Sequence, residues 1–157
     1  MNNLPIVKTL VWHDEAATAA FAAQLAGSLT HANLNACIAL QGDLGAGKTT
    51  FVRYLLRALG VEGRIKSPTY AVVEPYTVPA GEVWHFDFYR FSDPREWEDA
   101  GFRDIFASPG LKLCEWPQNA AGVMPTPDLE LNIQVDDHEQ RQVQVTAFTP
   151  RGQVLLA

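Results

Sequence analysis

The stretch CIALQGDLGAGKTTF, residues 37–51, sets a glycine-rich turn between two apolar segments. Gly42, Gly47, Lys48 and Thr49 fit the spacing G-x-x-x-x-G-K-[ST] of a phosphate-binding P-loop. Few short patterns restrict a fold as much, because this one works only where a strand enters the loop and a helix leaves it. Both are legible here. CIAL is a compact apolar run ended by a turn signal, the mark of a buried strand. TTFVRYLLRALG places Phe51, Val52, Leu55, Leu56 and Leu59 near helical spacing, with Gly60 as a C-terminal cap. In that setting the glycines let backbone N–H groups converge on oxyanions, and the helix N-terminus adds partial positive charge. Lys48 is expected to reach the β- and γ-phosphates of a nucleotide, and the Thr49 hydroxyl to ligate Mg²⁺.

The rest of the chain reads as partners for this unit. IVKTLVW is a first strand, followed by a helix over EAATAAFAAQLAGSL capped by Asp14, whose alanine-rich face suits close packing on a sheet. TYAVVEPYTV and EVWHFDFYRF read as two strands joined through PAG. Ser92, Asp93 and Pro94 open a helix expected to run through REWEDAGFRDIF. GLKLCEW is a short buried strand halted by Pro117, PQNAAGVMPTP is loop or one short helix, and LELNIQVDDHEQRQVQVTAF is a closing hairpin. There is no repeat, low-complexity tract or linker. The pattern predicts one α/β P-loop NTPase-like domain over residues 1–157, with a mixed, partly parallel sheet flanked by helices.

Composition narrows the partners. The 157 residues are 47% hydrophobic, enough for one real core, and the formal net charge is −6. Such a chain lacks the overall basic field of a direct nucleic-acid binder. No apolar run is long enough to cross a bilayer and the N-terminus has no secretory pattern. Cys37 and Cys114 fall in buried strands and read as small core residues of a reducing cytosol. Two cysteines and four scattered histidines give no zinc spacing.

A P-loop needs an acid near its metal. Asp87, in VWHFDFYR, and Glu115, in LKLCEW, both end apolar strands, where open α/β sheets bind ligands. Either suits the Walker-B role, and by residue type alone each is as readily an ordinary strand-end acid. KSPTY, residues 66–70, follows the P-loop helix where nucleotide switches place a loop that feels the γ-phosphate. Thr69 offers a hydroxyl and Lys66 a charge, although spacing alone favours a plain Ser-Pro turn. His85 shares a strand face with Asp87 and reads first as a satisfied core histidine. Arg90, taken as ending the same strand with Tyr89, is a candidate to neutralise phosphate charge or to pair with a surface acid. Trp84, Trp97 and Trp116 read as core or interface anchors.

GDLGAGKTT, KSPTY, HFDFYR and EWP, in that order, resemble the bacterial TsaE family, formerly YjeE. The matched core spans residues 42–117. The resemblance implies a parallel-containing P-loop fold, Mg²⁺ and ATP as cofactors, and slow ATPase activity in the cytoplasm. It also implies action on the TsaB–TsaD heterodimer, which modifies tRNA with threonylcarbamoyl-adenosine, so that tRNA is met only through that complex and no membrane is involved. Carried onto this sequence, Leu44, Gly45, Ala46, Gly47, Lys48, Thr49 and Thr50 would wrap the phosphates. Thr49 and Glu115 would hold the metal, Asp87 would order water or the metal's water shell, and Lys48 and Asp87 would be the catalytic pair. Thr69 would sense nucleotide state or face the partner, and Trp116 would flank the nucleotide. Glu15 and Gln118 are candidates for the nucleoside edge. One departure is Tyr54, where the family usually has glycine. Two other classes remain: a small-molecule kinase, thinly supported by Arg90, Arg95 and Arg103, and an ATP-loaded assembly module whose hydrolysis only resets binding. A GTPase is disfavoured because no N-K-x-D-like guanine clamp is present.

Overall fold

The computed structural model describes residues 4–157. Seven strands form one sheet: β1 (Ile6–Trp12), β2 (Ala36–Gln41), β3 (Val73–Val78), β4 (Gly81–Asp87), β5 (Leu111–Glu115), β6 (Leu129–Val135) and β7 (Arg141–Ala147). Their spatial order is β1-β7-β6-β2-β5-β4-β3. β2 pairs parallel with both β5 and β6, and β4 pairs parallel with β5. β1–β7, β6–β7 and β3–β4 are antiparallel. The sheet is therefore mixed, with a parallel centre. All five residues of β5 are buried, as expected of a central parallel strand covered on both faces.

Helices α1 (Glu15–His31) and α2 (Lys48–Leu59) pack on one face, and α5 (Pro150–Leu156) joins them beside α1 and β7. Asp14 caps α1 by accepting the Ala17 N–H at 2.9 Å. Its small residues Ala22 and Ala26 are buried in the core on this face, and α1 packs along α2. α2 buries Phe51, Val52, Leu55, Leu56 and Leu59 and ends at Gly60 in the left-handed region, φ 110°. Strand alternation sends Val83, Leu111 and Leu113 into this core. Phe86 and Cys114 point the other way, into a second core with Phe88, Phe91, Trp97 and Phe102.

That aromatic cluster explains a departure from the single helix expected after Pro94. The chain forms α3 (Pro94–Asp99) and α4 (Phe102–Ala107) instead, broken at Gly101 with φ 73°. The break lets Trp97 and Phe102 meet edge to face, ring centroids 5.6 Å apart. Asp93 is the cap, accepting from Arg95 N while Glu96 reaches back in a capping box. The strand expected from Thr69 begins only at Val73, because Val72 has φ 70° and its N–H bonds to Pro68 O. β4 stops at Asp87, so Tyr89 and Arg90 lie past the strand in a turn. Among the described residues no helix is long and apolar enough to cross a membrane.

Candidate functional site

The sheet's topology delivers the candidate residues to one edge. β2, β4, β5 and β6 run in the same direction, and β1, antiparallel to β7, runs with them. Their C-terminal ends lie side by side. The same edge therefore carries Trp12 and the start of α1, the glycine-rich loop after β2, Asp87, Glu115 and the β6–β7 turn. The start of antiparallel β3 brings residues 66–72 there too. This is the edge at which open α/β sheets bind ligands.

The loop between β2 and α2 is shaped by glycine where glycine is required. Gly42, Gly45 and Gly47 have φ of 147°, 82° and 111°. A β-carbon on Gly42 would collide with the Ile133 carbonyl oxygen of β6. The first N–H groups of α2, as at any helix start, have no intrahelical acceptor and face the loop. Ala46 is buried at its base, and Leu44 stands out at 70% exposure.

Lys48, the first residue of α2, is 4% exposed. Its ammonium donates to Gly42 O at 2.5 Å and lies 3.8 Å from the centre of the Trp116 ring. Burial pushes the amine below the usual lysine value, opposed by Glu115, Asp87 and Asp43. Asp87 and Glu115 are register partners on β4 and β5. Thr49 Oγ1 donates to Glu115 Oε1 at 3.3 Å, and His85 Nε2 lies 2.6 Å from Glu115 Oε2. Asp87 Oδ1 accepts the Tyr89 N–H at 2.9 Å, and Oδ2 accepts from Thr69 Oγ1 at 3.4 Å. Burial raises the Asp87 carboxyl above its ordinary range, and the Glu115 charge adds to this against the Tyr89 N–H. A hydroxyl and a carboxylate so placed form a hard oxygen donor pair of the kind Mg²⁺ takes, and a phosphate and waters would complete the shell. Among the described residues no three His, Cys, Asp or Glu side chains gather as an all-protein metal site.

Trp116, in the left-handed region at φ 56°, turns its ring between Lys48 and Tyr89, whose ring centroid is 5.0 Å away. Thr69 sits in the loop before β3 and shares a 2.8 Å hydrogen bond with Ser67. Beside it Tyr70 is 83% exposed, with the Arg90 guanidinium 4.5 Å above its ring. Arg90 thus stacks on the KSPTY loop rather than ending β4.

A cavity of about 240 Å³ opens beside the loop, lined by Trp12, Glu15, Thr18, Thr50, Glu139 and Arg141 among others. The buried Trp12 Nε1–H has no hydrogen-bond partner among the described residues. Tyr54 donates a short hydrogen bond to Glu15 Oε1, so the tyrosine that departs from the family pattern ties down the cavity rim. Gln118 does not share this cavity. It lies on a 3₁₀ turn (Pro117–Ala120), in a shallow cleft with Gln41 and Glu130. The two candidates for the nucleoside edge are therefore apart. Sequence reasoning missed Trp12, Glu139 and Arg141. Arg141 Nε donates to Ala46 O at 3.0 Å and its guanidinium also holds Glu139 O. DDHEQR carries only a turn signal, and nothing local says that the parallel β2–β6 pairing brings that turn to the loop.

The fold and this edge define an α/β protein of the P-loop type, with a glycine-rich loop between a central parallel strand and a helix. Residues 12–143 match the family described as threonylcarbamoyl adenosine biosynthesis protein TsaE, and the chain belongs to that family, which acts in tRNA threonylcarbamoyladenosine biosynthesis. It is similar to the tRNA threonylcarbamoyladenosine biosynthesis protein TsaE of Haemophilus influenzae, 41% identical over 75% of this chain and 74% of the relative. The protein of the same description from Aquifex aeolicus is 31% identical over 90% of this chain and 98% of the relative. The crystal structure of Bacillus subtilis YdiB shares the fold, with a TM-score of 0.80 over 99% of this chain and 95% of that one, at 24% identity.

Proposed function

We propose that the protein binds Mg²⁺-ATP at this edge and hydrolyses it slowly, in the cytoplasm, to support threonylcarbamoyl-adenosine modification of tRNA through a TsaB–TsaD heterodimer. The observation that carries the reading is the convergence of Lys48, Thr49, Asp87 and Glu115 at a glycine-rich loop that leads into the N-terminus of α2. Residues 44–50 would wrap the phosphates. Lys48 would leave the Gly42 carbonyl for the β- and γ-oxygens, bringing its charge into a site that already holds two acids. Thr49 and Glu115 would hold Mg²⁺, which neutralises charge on the transferring phosphate when bound. Asp87 would orient the attacking water, its carboxylate aimed by Tyr89 N–H and Thr69 Oγ1. The cavity by Glu15 suits the nucleoside.

The experiment is ATP turnover with and without TsaB–TsaD, run beside a multiple-turnover tRNA modification assay. Stimulation by the heterodimer supports the reading. Turnover stimulated by a small metabolite alone would favour a kinase, and absence of ATP binding would remove the site.

A further inference from the structure

Glu115 and Asp87 end neighbouring strands, but an aromatic ring holds only Glu115 from behind. His85 Nε2 lies 2.6 Å from Glu115 Oε2, with the two side chains 1% and 3% exposed. The other oxygen, Oε1, accepts from Thr49 Oγ1. His85 is one strand period before Asp87, so the ring and both carboxylates share a face of the sheet. The ring's second nitrogen, Nδ1, is buried with no partner among the described residues.

That orphan restricts the state of the ring. An Nε2–H imidazole donates to Oε2 and leaves only a lone pair unmatched at Nδ1. The opposite tautomer would bury an N–H without an acceptor and set the Nε2 lone pair against the carboxylate. Orphaned buried N–H groups are the rarer and costlier arrangement.

We infer that His85 is a positioning residue for the metal-binding carboxylate: its Nε2–H holds Glu115 Oε2, so that Oε1 is the oxygen turned toward Thr49 and the cation. This rests on the Mg²⁺-ATP reading above. A carboxylate free to rotate presents either oxygen or both, and Mg²⁺, which demands near-ideal octahedral geometry, tolerates that poorly. Among the described residues Oε2 has no second hydrogen-bond partner: the Thr49 hydroxyl reaches only Oε1. His85 thus does for Glu115 what the Tyr89 N–H does for Asp87.

The test is calorimetric titration of ATP into wild type, His85→Leu and His85→Gln, each with chelator and across a Mg²⁺ series. His85→Leu is expected to need about 10–100-fold more Mg²⁺ to reach half its gain in ATP affinity, with chelated ATP bound as by wild type. His85→Gln, whose amide can donate from near the Nε2 position, is expected to recover most of that loss. A merely structural role would move both binding modes together. The same Mg²⁺ response in His85→Leu as in wild type would overturn the inference, as would a Gln variant as impaired as the Leu one. Nitrogen NMR of the wild-type ring decides the donor even if His85→Leu does not fold: a proton on Nε2 supports the inference, and a ring protonated at Nδ1 alone overturns it. A wild type whose ATP affinity ignores Mg²⁺ would remove the metal reading itself, and the histidine's role with it.

Discussion

Lys48 shows how one side chain is held ready for a ligand. Its ammonium is out of water, against the Gly42 carbonyl and the Trp116 ring, among three acids. A phosphate would replace a weak carbonyl partner with a charged one. Lys48→Ala is expected to weaken ATP binding by tenfold or more, since a charged hydrogen bond is worth about 1.5–3 kcal/mol. Calorimetry showing unchanged affinity would remove the P-loop assignment. Glu130, on β6, tests burial of a carboxylate elsewhere in the sheet. Gln41 Nε2 donates to its Oε1 at 3.0 Å, and burial still pushes the carboxyl above the ordinary 4.5. The folded chain then keeps a proton that the unfolded chain has released, so stability falls as pH rises from 4.5 through the raised value. Glutamine keeps the acceptor and never ionises. Glu130→Gln is expected to melt higher than wild type above that window and together with it below pH 4.5. An equal shift at both ends would point to packing instead.

At the scale of elements, what the sequence made legible was local and what it hid was tertiary. β1 runs Ile6–Trp12, the stretch read as the first strand, and the loop, α2 and Gly60 follow from spacing and turn chemistry. The α3–α4 break was hidden because Gly101 alone costs a helix only about 1 kcal/mol, and the choice is made by aromatic packing elsewhere in the chain. The candidate site divides in the same way. Asp87 and Glu115 were readable as strand ends, but that His85 backs Glu115, or that Arg141 reaches Ala46, depends on register between distant strands. α5 was missed because Gly152 sits inside it. Its reason is contact. A β-carbon there would overlap the Asp128 carbonyl oxygen. Asp128 is the latch that docks α5: its carboxylate accepts Cys37 N–H at 2.8 Å and Thr149 Oγ1 at 2.6 Å, and Thr149 in turn caps the helix through Gly152 N–H. Gly152→Ala is therefore expected to cost about 1–3 kcal/mol in urea denaturation, as overpacking does. Gln153→Ala, at an exposed neighbouring position, is the control expected to stay near wild type. An unaffected Gly152→Ala would mean that α5 is not docked as described.

For the whole molecule the question is how an acidic protein serves a reaction on tRNA. With a net charge of −6, few phosphate contacts are available, so the isolated chain is expected to bind tRNA weakly at physiological salt. Its effect would then pass through protein partners, with ATP setting the surface they meet. ATP can do that only by contacting two states of some element differently. The loop of residues 66–72 is placed for it. One end reaches the site, where Thr69 Oγ1 donates to Asp87 Oδ2, and the other side is outward, where Tyr70 is 83% exposed beneath the Arg90 guanidinium. Thr69 is thus the joint between the Asp87 carboxylate and an exposed aromatic. Removing its hydroxyl leaves Lys48, Thr49 and Glu115 untouched, so ATP should still bind. Thr69→Ala is expected to keep ATP affinity near wild type while uncoupling hydrolysis, or repeated tRNA modification, from TsaB–TsaD. Nucleotide affinity, affinity for the heterodimer and multiple-turnover modification, all measured on the one variant, decide it. Normal modification by Thr69→Ala would take the switch role away from this loop, and tight tRNA binding by the isolated wild-type chain would take away the need for a partner to carry the effect.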